Sequence, residues 1–140
     1  AAGSTGKVGW YADVWDLATN KTRLQLGNHD YVVHQVIYSP DGSRILTRTG
    51  TGRSTIWDAK SGKELLDPDT QKDQKDWSNI SGFNRDGTKL VSLKGGSLQL
   101  RDLQTGAVLR EMKGDAAFRA YWPGPGDGEL TTYSGGKLSR

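Results

Sequence analysis

Short runs of alternating apolar and polar residues, bounded by Gly, Asp or Asn, recur along the chain. Val36 and Tyr38 stand two positions apart before an Asp-Gly pair at residues 41–42, and Ile45 and Leu46 begin a new apolar run after it. Asp-Gly between two such runs predicts a tight hairpin, because the turn needs the positive φ that Gly adopts freely. The pattern therefore predicts many short antiparallel strands rather than helices.

Two sequence elements repeat in phase. One is an apolar strand that ends in Asp, and the other is an Asp-Gly turn followed by an apolar strand. Successive copies lie between 41 and 45 residues apart. The Asp residues of the first element are Asp16, Asp58 and Asp102, and those of the second are Asp41, Asp86 and Asp127. Repetition at one period predicts a structural unit of about four short strands per period.

The Asp that closes the first element begins another tight turn. A short carboxylate at this place can accept hydrogen bonds from nearby backbone amides. Asn20, Gly62 and Gly106 then supply the residue that tolerates a positive φ. These Asp residues are therefore interpreted as residues that form turns rather than as catalytic residues.

Four strands in about 40–45 residues with a Trp-Asp pair resemble a blade of the WD-repeat (WD40) β-propellers. Gly-Asn-His ending at His29, Ser-Pro-Asp-Gly containing Asp41, and Trp57 before Asp58 follow the order of that family's repeat. Six-bladed families with a Pro-Asp-Gly motif share the turn, whereas the Trp-Asp pairs favour the WD type. The resemblance implies an all-β fold in which Trp57 and its counterpart Trp15 are buried. The signature residues are His29, Asp41, Trp15, Asp16, Trp57, Asp58, Asp86 and Asp102.

The repeat departs from the family pattern in ways that matter for its core. Arg101 replaces the Trp of the third repeat, and Gly9, Thr51 and Gly95 stand where the family usually has Asp. His29 occupies the position of the structural His, so the resemblance implies that it makes a core hydrogen bond. A degenerate propeller lacking most of the family's buried hydrogen-bond network is therefore expected.

The repeat boundaries predict one propeller segment over residues 1–140. It consists of a partial blade at 1–27, complete blades at 31–68 and 76–113, and a partial blade at 115–140. Propellers close with four to eight blades. About three and a half blades would need the rest of a parent protein or another chain to close the ring, and two copies would add to about seven blades.

The sequence contains no candidate catalytic site. The chain has no Cys and two His, and it contains neither a Gly-x-Ser-x-Gly elbow nor a phosphate-binding or dinucleotide fingerprint. We therefore expect no catalytic residue, cofactor or metal, and no enzyme. No apolar run exceeds three residues, which predicts no transmembrane helix. A cytoplasmic location is expected. The predicted function is a protein-interaction scaffold, as the propeller part of a larger protein of the bacterial signalling or defence kind.

The predicted partner surface lies at one rim, where the loops between blades meet the turns between the second and third strands. Its candidate residues are Tyr31, Arg53, Lys75 and Trp77, because exposed aromatic and cationic side chains are typical of hot spots. Core packing between adjacent blades is nevertheless the favoured role for each aromatic residue outside the Trp-Asp signature. Those aromatics are Trp10, Tyr11, Tyr31, Trp77, Phe118 and Trp122.

Two other functions remain open. With 19 basic and 16 acidic residues the chain has a net charge of +3, which is weak support for an anion or nucleic-acid surface formed by Arg44, Arg48, Arg53 and Lys89. The interleaved acidic residues make nucleic acid the less favoured partner. The last alternative is a segment of an enzyme with its active site in the propeller channel, for which the sequence offers few carboxylates or His.

Overall fold

The protein is described by a computed structural model that covers residues 9–66, 80–94, 96–113, 120–123, 130–134 and 137–139. These ranges contain thirteen strands and no helix. The strands are β1 (Trp10–Asp16), β2 (Lys21–His29), β3 (Val33–Tyr38), β4 (Arg44–Thr49), β5 (Ser54–Asp58), β6 (Glu64–Leu66), β7 (Ile80–Phe83), β8 (Lys89–Lys94), β9 (Ser97–Asp102), β10 (Val108–Lys113), β11 (Ala120–Pro123), β12 (Leu130–Ser134) and β13 (Lys137–Ser139). The all-β fold expected from the sequence is confirmed.

The strands form four antiparallel sheets, each with its strands in chain order. Sheet I consists of β1 and β2, sheet II of β3 to β6, sheet III of β7 to β10, and sheet IV of β11 to β13. Sheets II and III are thus four-stranded meanders, the form of a WD40-like blade, while sheets I and IV contain two and three described strands. The sequence repeat therefore corresponds to a repeated sheet.

The predicted turn residues adopt the conformations that the sequence requires. Gly42 and Gly87 follow the repeated Asp at φ values of 72° and 73°. Asn20, Gly62 and Gly106 have φ values of 53°, 71° and 70° in the turns after β1, β5 and β9. Both kinds of predicted hairpin turn are therefore confirmed, each with a residue of positive φ at the expected place.

Three Asp carboxylates bind backbone amides at the ends of β1, β5 and β9. Asp16 Oδ1 accepts from the N–H of Ala18 at 2.8 Å. Asp58 Oδ1 accepts from Ser61 N at 2.7 Å, and Asp102 Oδ1 accepts from Thr105 N at 2.8 Å. Hydrogen bonds from the amide and the hydroxyl of Ser61 lower the pKa of Asp58, and the same two groups of Thr105 lower the pKa of Asp102. The repeated Asp is therefore a local turn cap, as expected.

Two apolar clusters hold the first three sheets together. The cluster between sheets I and II contains Ala12, Leu26, Ile45, Trp57 and Ala59. The cluster between sheets II and III contains Leu46, Ile56, Ile80, Phe83, Leu90 and Leu103. Successive residues of a strand point to opposite faces, so Ile56 and Trp57 of β5 join different clusters. Sheet II is therefore buried on both faces.

The two signature Trp residues lie in different environments. Trp57 is 5% exposed, as predicted, but Trp15 is 55% exposed, so its predicted burial is wrong. Sheet I covers Trp57. Trp15 lies next to Val14, which faces sheet II, so alternation along β1 turns the indole to the opposite face of sheet I. That face has no apolar cluster among the residues that the structure describes.

Candidate interaction surface

The indole of Trp57 is fixed by a buried hydroxyl on the neighbouring strand. Its Nε1 donates to Thr47 Oγ1 of β4 at 2.8 Å. In sheet III, Arg101 and Ser92 occupy the corresponding positions, and Arg101 Nε donates to Ser92 Oγ at 3.3 Å. Arg101 is 5% exposed. The guanidinium therefore replaces the indole as the donor to this hydroxyl.

Two further acceptors of Arg101 come from its own sheet and the turn after it. Nη2 donates to Gln99 Oε1 at 2.6 Å, and Nη1 donates to the carbonyl O of Gly106 at 3.2 Å. A buried cation is tolerated only when its donors are satisfied in this way. Arg101 is therefore a structural residue.

His29 packs against Trp57 instead of completing a hydrogen-bond network. The two rings meet edge to face, and His29 Nε2 is buried without a hydrogen-bond partner. Thr51 replaces the expected Asp, and its hydroxyl pairs with Thr49 Oγ1 at 2.8 Å. The core hydrogen bond expected of His29 is therefore not made at Nε2. Burial lowers the pKa of His29, the charge of Arg53 lowers it further, and Asp30 opposes both effects.

Tyr31 lies at one end of sheet II, against the turn between β4 and β5. The N–H of Gly50 donates to the carbonyl O of Val32 at 3.0 Å. A Cβ added at Gly50 would lie 3.0 Å from Tyr31 Cδ1 and 2.8 Å from His34 Nε2. Gly50 therefore allows two side chains to approach the turn closely. Tyr31 is 51% exposed, and His34 is exposed as well.

Arg53 belongs to the same turn. Its carbonyl O accepts from the N–H of Thr49 at 2.9 Å, and Gly52 N donates to the carbonyl O of Thr49 at 3.0 Å. The backbone thus brings two predicted partner-binding residues, Tyr31 and Arg53, to one turn. The other two, Lys75 and Trp77, lie outside the described residues.

Two further aromatics extend this end of the structure. Trp10 of β1 is paired with His29 of β2 across sheet I. His29 lies two residues before Tyr31 in the chain. The ring of Tyr11 covers Gly27, where any Cβ would overlap it. Trp10 and Tyr11 are 50% and 42% exposed.

Core packing was predicted for Trp10, Tyr11 and Tyr31, and these predictions are wrong because all three side chains are exposed. The strand glycine Gly27 was the available signal, since Gly within a strand often marks a close approach of another group. We call the set Trp10, Tyr11, Tyr31, His34 and Arg53 the aromatic rim.

The basic residues do not form one stripe in the described part of the chain. Arg44 is paired with Asp58 at one end of sheet II, whereas Arg48 is paired with Ser54 at the other end, near Arg53. Lys89 Nζ lies 4.0 Å from Asp86 Oδ2. The four cations of the proposed anion surface are therefore spread over both ends of the sheets.

Comparison with known proteins gives weak but consistent matches, and no family model matches the chain. The chain is 28% identical over 94 residues to WD repeat and SOCS box-containing protein 1 of Xenopus tropicalis, covering 66% of this chain and 22% of that protein. The human protein of that name is 28% identical over 91 residues, covering 64% and 21%. THO complex subunit 6 of Arabidopsis thaliana is 32% identical over 91 residues, covering 64% and 24%.

The matched region thus spans less than a quarter of the length of these curated relatives. With the four-stranded antiparallel sheets, the matches support a WD-repeat protein. Such proteins typically bind protein partners and are typically non-catalytic.

The described residues offer no group of three His, Cys, Asp or Glu side chains that could hold a metal ion. Within those same ranges there is also no helix long and apolar enough to cross a membrane.

Proposed function

We propose that this chain is a non-catalytic scaffold segment of a larger propeller protein and that it binds a protein partner at the aromatic rim. One observation carries the proposal. Trp10, Tyr11 and Tyr31 remain between 42% and 51% exposed at one end of sheets I and II, while the signature Trp57 beside them is buried. Large exposed aromatics with a neighbouring Arg have the composition of protein-binding hot spots.

Backbone hydrogen bonds tie down the scaffold beneath these side chains. The turn that carries Arg53 is closed by backbone hydrogen bonds, and Gly50 lets the Tyr31 ring lie against it. Loops held on a rigid sheet are where binding residues are commonly found. Lys75 and Trp77 are included in the proposed surface on the sequence repeat alone, which assigns them to the connection between the two complete blades.

We further propose the blade boundaries at residues 1–27, 31–68, 76–113 and 115–140. The relatives support a longer protein, since the matched region covers 21–24% of each of those cited. A bacterial signalling or defence context is part of this proposal, supported by the style of the repeat, and a cytoplasmic location is proposed with it.

Capture of partners from cells that carry the gene tests the proposal. The chain with Tyr31→Ala, Arg53→Glu and Lys75→Glu should lose the captured protein, and its circular-dichroism spectrum should keep the β-type shape. Arg44→Glu with Lys89→Glu is the matched control, because these cations lie at the opposite end of sheets II and III. Retention by the triple variant and loss by the control would move the binding surface to that end.

The anion-binding alternative predicts a different salt dependence. A surface that neutralises phosphates loses affinity steeply as the salt concentration rises. Binding through the aromatic rim should instead depend less steeply on salt, because three of its five side chains are the exposed aromatics Trp10, Tyr11 and Tyr31. A steep loss of binding to a nucleic-acid probe, abolished by Arg44→Glu with Lys89→Glu, would favour the anion surface.

A further inference from the structure

Sheet II carries a polar row of side chains next to an apolar one. The apolar row packs against sheet III and pairs one residue from each of β3, β4 and β5, namely Ile37, Leu46 and Ile56. Two residues nearer the aromatic rim, the same strands pair Gln35 with Arg48 and Arg48 with Ser54. Residues two apart in a strand share a face, so this second row also faces sheet III. We call it the Gln35–Arg48–Ser54 row.

Two polar atoms of this row are buried without a hydrogen-bond partner. They are Gln35 Oε1 and Ser54 Oγ, and Ser54 as a whole is 0% exposed. Nearly all buried polar atoms in folded proteins are paired, so an unpaired one indicates a place where a further polar group binds. The unpaired atoms stand on either side of Arg48, which is half-buried.

The charges that face this part of the structure are positive. Leu90 of β8 packs against sheet II, and the cross-strand partner of Leu90 is Arg101. Lys94 lies four residues after Leu90 on the same face of β8, at the end of the strand, and it is exposed. Sheet III therefore presents cations towards the sheet that carries Arg48. Among the described residues beside the row, at 28–34 and 48–54, Asp30 is the only acidic one.

We propose that the Gln35–Arg48–Ser54 row holds a carboxylate of the protein partner, so that the segment bound at the aromatic rim is acidic. The proposal rests on the proposed function. A carboxylate accepts hydrogen bonds from the Arg48 guanidinium and from the Ser54 hydroxyl, and charge-assisted bonds of this kind are strong. Rotation of the Gln35 amide by half a turn presents its Nε2 as a third donor.

The row is continuous with the aromatic rim. His34 and Arg53 of the rim are the chain neighbours of Gln35 and Ser54, so one bound segment can contact both. A protein segment fits better than nucleic acid, because three donors suit one carboxylate whereas a phosphate backbone needs a stripe of cations. One carboxylate also releases few counterions, which keeps the salt dependence shallow.

Fluorescence anisotropy with two labelled probe peptides tests the proposal. One probe is a repeat of Glu and Ala, and the other has Gln in place of every Glu. The Glu peptide should bind at least roughly tenfold more tightly, and Arg48→Gln should abolish the difference. Arg44→Gln is the matched control, because it removes the same charge from the other end of β4. It should leave the difference intact.

Ser54→Ala separates binding from folding. The substitution removes a buried hydroxyl that has no partner in the free chain, so the urea midpoint should stay the same or rise. The affinity for the Glu peptide should nevertheless fall. A lower urea midpoint with unchanged peptide affinity would make Ser54 a structural residue and overturn its proposed role.

Two further outcomes would overturn the proposal. Equal binding of the Glu and Gln peptides would show that the row does not recognise a carboxylate. Tighter binding of an oligothymidine of the same charge, lost in Arg48→Gln, would assign the row to phosphate instead. A captured partner that survives Arg48→Gln but is lost with Tyr31→Ala would reject the acidic segment and leave the proposed function standing.

Discussion

His29 and Trp57 meet edge to face across the junction of sheets I and II, with 5.5 Å between ring centroids and an interplanar angle of 79°. This geometry is favoured for aromatic rings because the positive edge of one faces the negative face of the other. The contact holds His29 in the apolar cluster with Nε2 unpartnered. Protonation would place a positive charge at this buried nitrogen, so the folded state favours neutral His29.

We expect unfolding to become easier below pH 6.5 because of His29. Its pKa in the folded chain lies below 6.5, so the unfolded chain binds the extra proton in that range. Its contribution to stability is complete above pH 6.5 and declines below it, by at most about 1.4 kcal/mol per pH unit for one proton. Urea midpoints at several pH values measure the effect. His29→Gln should flatten the dependence, whereas equal slopes in the wild type and the variant would contradict the assignment.

Truncation of Trp57 should be severe. Trp57→Ala removes an indole that is 5% exposed and leaves the hydroxyl of Thr47 without its donor. The expected loss of unfolding free energy is about 3–5 kcal/mol. Trp10→Ala is the matched control, since Trp10 is 50% exposed, and it should cost less than about 1 kcal/mol. Similar urea midpoints for the two variants would show that the strand register is wrong.

Arg101 should behave as a core residue. Arg101→Ala leaves Gln99 Oε1 without its 2.6 Å donor and opens space beside the strand. An unsatisfied buried polar group costs about 1–3 kcal/mol. Arg44→Ala, at a half-buried position, is the comparison, and it should have the smaller effect on the urea midpoint. If Arg44→Ala proved the more damaging, the guanidinium of Arg101 would not be replacing the indole.

Asp41 should stabilise the first Asp-Gly turn down to acid pH. Its carboxylate accepts from Ser39 Oγ at 2.6 Å and from Ser43 Oγ at 2.7 Å, and these bonds lower its pKa from 3.8 to about 2. A lowered carboxyl pKa stabilises the fold above pH 3.8, and this contribution is lost as the pH falls towards 2. The difference in urea midpoint between the wild type and Asp41→Asn should therefore shrink over that interval. A constant difference would mean that the charged form is not preferred.

The turns could be predicted from the sequence because their chemistry is local. Asp58 and Gly62 lie within five residues of each other, and their roles need no information from elsewhere in the chain. The burial of β5 was also predictable, because its adjacent residues Ile56 and Trp57 are both apolar and point to opposite faces of the strand. Both faces are covered in the structure.

Exposure could not be predicted in the same way because it depends on the neighbouring sheet. Trp15 and Trp57 both precede Asp at the same position of the repeat. Trp57 packs with residues of sheet I and is 5% exposed, whereas Trp15 is 55% exposed. The role of Arg101 was equally hidden. Its partners Ser92 and Gln99 become neighbours only when β8 pairs with β9.

The Asp caps, the turn bonds and the strand ladders each join residues of a single sheet, whereas the contacts between sheets are made mainly by apolar side chains such as Leu26 and Ile45. Apolar contacts have no preferred direction and weaken evenly as surfaces part. Pulling the two ends of the chain apart should therefore separate neighbouring sheets first and tear the strands of each sheet only later. Under mechanical load, each sheet should therefore move as one unit while the contacts between sheets yield.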